Sequence, residues 1–164
     1  MHLKIMKQKR STGFWVLINV AILLNLIMFI GQTGSLFNYE FTVSIGLQES
    51  IEEVTGLGVA WSNGFAFGDT ITYIPLFIAG IAGLFKRKEW GMFSMFGALA
   101  ITVYWPIVNL YAIFAAKSIM NMNADKYILF SILLPSITLY GLWGMMFLYK
   151  NRTKLLEEGN GKKC

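Results

Sequence analysis

The chain is 164 residues long, 55% hydrophobic and 14% charged, with a mean hydropathy of +0.55 and a formal net charge of +5. Water-soluble domains are less apolar and more charged than this, so the composition points to lipid as the solvent. The cations flank apolar runs instead of forming a basic face, which argues against a nucleic-acid partner, and the single cysteine, Cys164, excludes an internal disulfide, a CxxC redox pair and a cysteine-based zinc site.

Runs of about 20 apolar residues suffice to cross ~30 Å of hydrocarbon, and their placement predicts an all-α membrane protein: one domain, a bundle of four transmembrane helices. A basic tail over residues 1–12 leads into a first span over 13–31. The same basic flank, with Gly31, Thr33 and Gly34 beyond the run, is also the pattern of a cleavable signal peptide. The apolar run exceeds the ~7–15 residues usual there and no A-x-A site follows, which favours a retained span.

Residues 32–66 form the longest connection, and connections of that length commonly carry structure of their own. Phe37, Tyr39, Phe41, Val43 and Ile45 alternate with Asn38, Glu40, Thr42 and Ser44, the period of a half-buried strand. Val59, Trp61, Phe65 and Phe67 continue a similar pattern, and residues 48–54 between them form a helical candidate that ends near Gly56 and Gly58. The expectation is a small extracytoplasmic cap with short β-strands. Glu49, Glu52 and Glu53 would share one face of its helix. Three carboxylates can hold a divalent cation, but without further ligands they read as a solvated acidic face, and no metal site is assigned.

The second span, 67–85, and the third, 90–116, are separated only by Lys86, Arg87, Lys88 and Glu89, which predicts an antiparallel hairpin with a basic turn. The fourth span covers 127–149 and a second tail covers 150–164. Ala79, Gly83, Gly91, Gly97, Ala98, Gly141 and Gly144 are expected at helix contacts, where small residues let backbones approach. Lysine and arginine set orientation because cytoplasmic flanks retain them. Twelve of the 14 lie in the two tails and the basic turn, leaving only Lys117 and Lys126 opposite. Both termini are therefore expected in the cytoplasm and the protein in the plasma (cytoplasmic) membrane. Trp15, Trp90 and Tyr149 would mark the inner interface, and Trp61 and Tyr127 the outer one.

Pro75, Pro106 and Pro135 fall at a common level in the outer half of three spans, where kinks can splay a bundle. Polar side chains crowd the same level. Asp69 and Tyr73 share a helix face, as do Thr102, Trp105 and Asn109, with Asn25 on the first span and Tyr104 on the third nearby. Asp69, Tyr73, Trp105, Asn109, Tyr104 and Asn25 are thus the candidate ligand-binding residues. Asp69 is either a helix N-cap or the ionisable group of a site. No catalytic residue, metal or cofactor is assigned. The reading that asks least of these residues is a binding or accessory protein that holds a lipid-like or amphipathic small molecule, a partner membrane protein or a second copy of itself. An intramembrane enzyme using Asp69 as acid or base and a small oligomeric transporter or channel are the alternatives.

Overall fold

The computed structural model describes residues 10–156, so His2, Cys164 and the cations at positions 4, 7, 9, 162 and 163 lie outside the described residues. Four helices are long and apolar enough to span a membrane. The first, α1, runs Thr12–Phe37 and is capped by Ser11, whose Oγ accepts the Phe14 N–H at 3.3 Å. A short helix, α2, covers Tyr39–Ser44. Then come α3 (Ile51–Phe85), α4 (Glu89–Ala115) and α5 (Ala124–Leu156). Both α1 and α3 contain one five-residue π-helical turn, Phe29–Thr33 and Asp69–Tyr73. In α3 the Ile74 N–H reaches back to the Asp69 carbonyl across that turn, immediately before Pro75, so the wider register absorbs the proline that an unbroken α-helix would resist.

None of the described residues forms a strand, which corrects the expected β-strands of the 32–66 connection. Asn38 caps α2 instead, its Oδ1 accepting the Phe41 N–H at 3.0 Å. The alternating residues then fall around a helix whose polar Thr42 is buried, its hydroxyl donating to the Tyr39 carbonyl at 2.7 Å, while Phe37 and Phe41 are exposed. The helical candidate near residue 51 is present and breaks at Thr55, where φ is 68°, just before Gly56. Beyond that break α3 continues without interruption past 67, the expected start of the second span.

At the opposite end α3 stops in a Schellman turn: the Arg87 N–H bonds the Leu84 carbonyl at 3.2 Å and the Lys88 N–H the Gly83 carbonyl at 2.9 Å. Arg87 takes the left-handed conformation there, φ 52°, that glycine usually supplies. The chain reverses directly into α4, which forms the basic hairpin expected from the sequence. The backbones of α3 and α4 approach closely because glycine faces glycine, Gly83 against Gly91, and a Cβ on Gly80 would come within 2.8 Å of Met95 Cα. Gly141 and Gly144 do the same for α5 against Leu99 of α4.

The core fills the basic half. Phe14, Leu17, Ile18 and Ala21 of α1 meet Phe77 and Leu84 of α3, Met95, Ala98 and Leu99 of α4 and Leu148 of α5. Toward the other, distal, end the helices pair off. The distal part of α3 packs chiefly on the distal part of α1, and α5 packs on α4. The two pairs are joined at the distal tip by Lys126 of α5, which bonds the carboxylates of Glu49 and, at 2.6 Å, Glu53. The Asn121 N–H adds a bond of 2.9 Å to the Glu53 carbonyl.

Candidate functional site

The two π turns lie side by side, with Thr33 Oγ1 and Thr70 Oγ1 sharing a hydrogen bond of 2.9 Å. Such turns redirect side chains and recur at functional sites. In α3 the π turn begins at Asp69. That residue is part of a continuous helix and its own N–H is already bonded to Phe65 and Ala66, so the N-cap reading of Asp69 is removed. Its carboxylate is half-buried and has no hydrogen-bond or ion-pair partner among the described residues.

One helical turn on, Tyr73 is buried and its hydroxyl bonds Thr102 Oγ1 of α4 at 2.7 Å, while Thr102 in turn donates to the Ala98 carbonyl at 2.9 Å. Trp105 lies beside the Tyr73 hydroxyl, but its buried indole N–H finds no partner in hydrogen-bonding geometry. Asp69, Tyr73 and Trp105 are therefore brought together, with Thr102 as the residue that ties them. Asn109 is half-buried and donates to the Trp105 carbonyl of its own helix at 2.9 Å. Tyr104 is exposed on the outside of α4. Asn25 of α1 is half-buried, with an Oδ1 that is enclosed and unpartnered among the described residues.

Two more enclosed atoms in the distal half have no partner among the described residues, Asn63 Oδ1 on α3 and Tyr127 Oη on α5. Together with Asn25 and Trp105 they place one such atom on each long helix. Folded proteins pair nearly all of their buried polar groups with protein or water, so each exception calls for a partner.

Gln48 links α1 to α3: its side-chain amide donates to the Gly31 carbonyl at 3.2 Å and accepts from Ser62 Oγ at 2.6 Å. The acidic cluster is not a triad on one helix face. Glu49 precedes the helix, Glu52 is exposed, and Glu49 and Glu53 converge on Lys126. Burial raises the Glu49 carboxyl above its ordinary value, against the opposing pull of Lys126. Among the described residues no cluster of three histidine, cysteine, aspartate or glutamate side chains is arranged to hold a metal ion.

Sequence reasoning missed Thr33, Gln48, Asn63 and Lys126. A lone cation opposite two glutamates at i, i+4 was the available signal for Lys126; no local pattern marks the other three. Comparison with models of protein families, with characterised proteins and with solved structures finds no match to this chain.

Proposed function

We propose that the chain is an integral protein of the cytoplasmic membrane that crosses the bilayer four times, with both termini in the cytoplasm, and that it holds a lipid-like or amphipathic small molecule between the α1–α3 and α4–α5 pairs in its outer half. Apolar side chains exposed on every long helix, among them Leu26, Ile78, Ile107 and Ile132, support lipid as the surrounding solvent. Beyond its break at Thr55, residues 56–85 of α3 extend to about 45 Å at 1.5 Å per residue, still beyond ~30 Å of hydrocarbon. Its distal end, with α2, then forms a helical extracytoplasmic cap.

The observation that carries the binding reading is the set of enclosed polar atoms with no partner among the described residues, one on each long helix. A molecule with a polar end would satisfy the Asn25 carbonyl oxygen and the Trp105 N–H, and its apolar part would lie against the surrounding aliphatic side chains. Native mass spectrometry of the gently solubilised full chain tests this. A defined small molecule is expected to co-purify, and Asn25→Leu with Trp105→Phe is expected to release it without loss of thermal stability, because replacing an unpaired buried polar group by an apolar one is neutral or stabilising. Unchanged retention in that double variant overturns the reading.

The position of Asp69, half-buried and unpartnered beside Tyr73, favours one second reading, acid–base catalysis on the same bound molecule. Asp69→Asn separates the two. Loss of the bound molecule fits a binding role. Retention with a change in its mass, as substrate accumulates in place of product, fits an enzyme.

A further inference from the structure

Asp69 carries a charge that nothing among the described residues balances. Across the apolar runs 13–31, 67–85, 90–116 and 127–149, Lys117 lying just beyond the third, it is the one side chain of aspartate, glutamate, lysine, arginine or histidine type. The two lysines of the distal half are engaged elsewhere, Lys126 by Glu49 and Glu53 and Lys117 beside the Tyr127 ring at 5.3 Å from its centroid. The Asp69 carboxylate stands half-buried, with neither a cation nor a hydrogen-bond donor among the described residues.

Its depth follows from the helices. Asp69 lies about 24 Å along α3 from Phe85, where the basic turn begins, which on the four-span reading is the outer part of ~30 Å of hydrocarbon. Helices α3 and α4 run antiparallel, so the Tyr73–Thr102 hydrogen bond sets Asp69 at the level of Pro106. Asp69 shares its helix face with Ala66 and Tyr73, both buried, and so belongs to the side turned into the bundle. Phe67, Ile71 and Ile107 are exposed at about the same level and leave lipid within reach.

A charge in a low-dielectric setting is stable only when it is paired. A divalent metal ion suits this place poorly, because it takes about six oxygen ligands and no cluster of three histidine, cysteine, aspartate or glutamate side chains is arranged for one among the described residues. An organic ammonium needs a single carboxylate and gains from aromatic rings, which attract cations. Tyr73 is one helical turn from Asp69, and Trp105 lies beside the Tyr73 hydroxyl. On the binding reading proposed above, we infer that the molecule held between the helix pairs is a cationic amphiphile, a long-chain amine whose ammonium group pairs with Asp69. The ammonium N–H groups donate to the carboxylate, and the chain lies along apolar side chains towards lipid. The Trp105 N–H, which has no partner among the described residues, donates to an oxygen close to the nitrogen.

The test titrates the full chain in a non-ionic detergent with dodecylamine, protonated at neutral pH, and with dodecanol, which matches it in length and lacks the charge. Native mass spectrometry reads the bound probe and thermal unfolding reads protection. Asp69→Asn removes the charge and keeps the shape, whereas Asp125→Asn makes the same change at an exposed position at the start of α5. The wild type and the Asp125 variant are expected to bind dodecylamine roughly tenfold more tightly than dodecanol, the size of one charge-assisted hydrogen bond, and Asp69→Asn is expected to bind the two alike. Asp69→Glu keeps the charge and is expected to keep the preference, which separates a lost charge from disturbed packing. Equal affinity for the two probes in the wild type overturns the amine and leaves the binding reading standing, as does a co-purifying molecule of neutral composition that dodecylamine fails to displace. A preference that survives Asp69→Asn, or that falls equally in the Asp69→Asn and Asp125→Asn variants, assigns the charge effect to another place and overturns the amine at Asp69. Binding of neither probe by a chain from which no small molecule co-purifies overturns both readings.

Discussion

Glycine acts in opposite ways along α3, and the difference is a matter of what lies within contact distance of its missing Cβ. At Gly83 a methyl would collide with the backbone of Gly91, whereas at Gly64 nothing lies within 4 Å. Gly83→Ala is therefore expected to cost about 1–3 kcal/mol, because two helix axes must move apart. Gly64→Ala is expected to leave stability unchanged or raise it by up to ~1 kcal/mol, the propensity difference between the two residues. Thermal unfolding of both variants in one detergent checks the pair, and similar losses would mean that α3 and α4 do not meet through glycine. Gly83, Gly91, Gly141 and Gly144 were legible in the sequence because small residues are conspicuous inside apolar runs. Gly80 was not, since the sequence does not say how far a helix is rotated about its axis. The same limit applies to the candidate site. Spacing put Asp69 and Tyr73 on one face and Trp105 on a face of α4, but only the fold joins those faces through Thr102, and only the fold turns Tyr104 outward.

Helices α3 and α5 show why the connection over 32–66 was misread while the long apolar runs were not. Hydropathy over some 20 residues averages out local accidents, so all four long helices were found, including the basic hairpin between α3 and α4. A nine-residue alternation has no such redundancy, and the Asn38 cap on the Phe41 N–H sets the segment as a helix instead. The Ser50 to Glu53 spacing was the better local signal, because the Glu53 carboxylate does accept the Ser50 N–H at 3.1 Å. The same Glu53 reaches Lys126, so the start of α3 is tied to the start of α5 where the two helix pairs otherwise separate. Lys126→Gln is expected to destabilise the fold by about 1 kcal/mol, a modest figure because the lysine is about one-third exposed and water screens the pair. A double-mutant cycle of Lys126→Gln with Glu49→Gln, measured at low and at high salt, isolates the interaction. A coupling near zero at low salt would reduce the tie to the Lys126–Glu53 pair and the Asn121 backbone bond.

For the molecule as a whole, the distribution of charge is the strongest statement about how it sits in a cell. The basic turn at Arg87, the start of α1 at Arg10 and the end of α5 at Lys154 meet at one end of the bundle, around a common cavity. At the opposite end Lys126 is engaged by two glutamates and Lys117 lies 5.3 Å from the Tyr127 ring centroid. Lysine and arginine gathered at one end and nearly absent from the other are the asymmetry the positive-inside rule reads, and on the four-span reading proposed above both termini lie on the same side. Labelling of intact cells with a membrane-impermeant thiol reagent tests this arrangement, after Cys164→Ser has removed the native thiol. Ser50→Cys, just before α3 at the distal end, is expected to react from outside. Thr153→Cys, near the end of α5 and exposed in the fold, is expected to react only once the membrane is permeabilised. The reversed pattern would invert the protein. Reaction at both positions in intact cells would mean that an even number of membrane-spanning segments separates them, which α3, α4 and α5 cannot supply unless one of the three fails to insert.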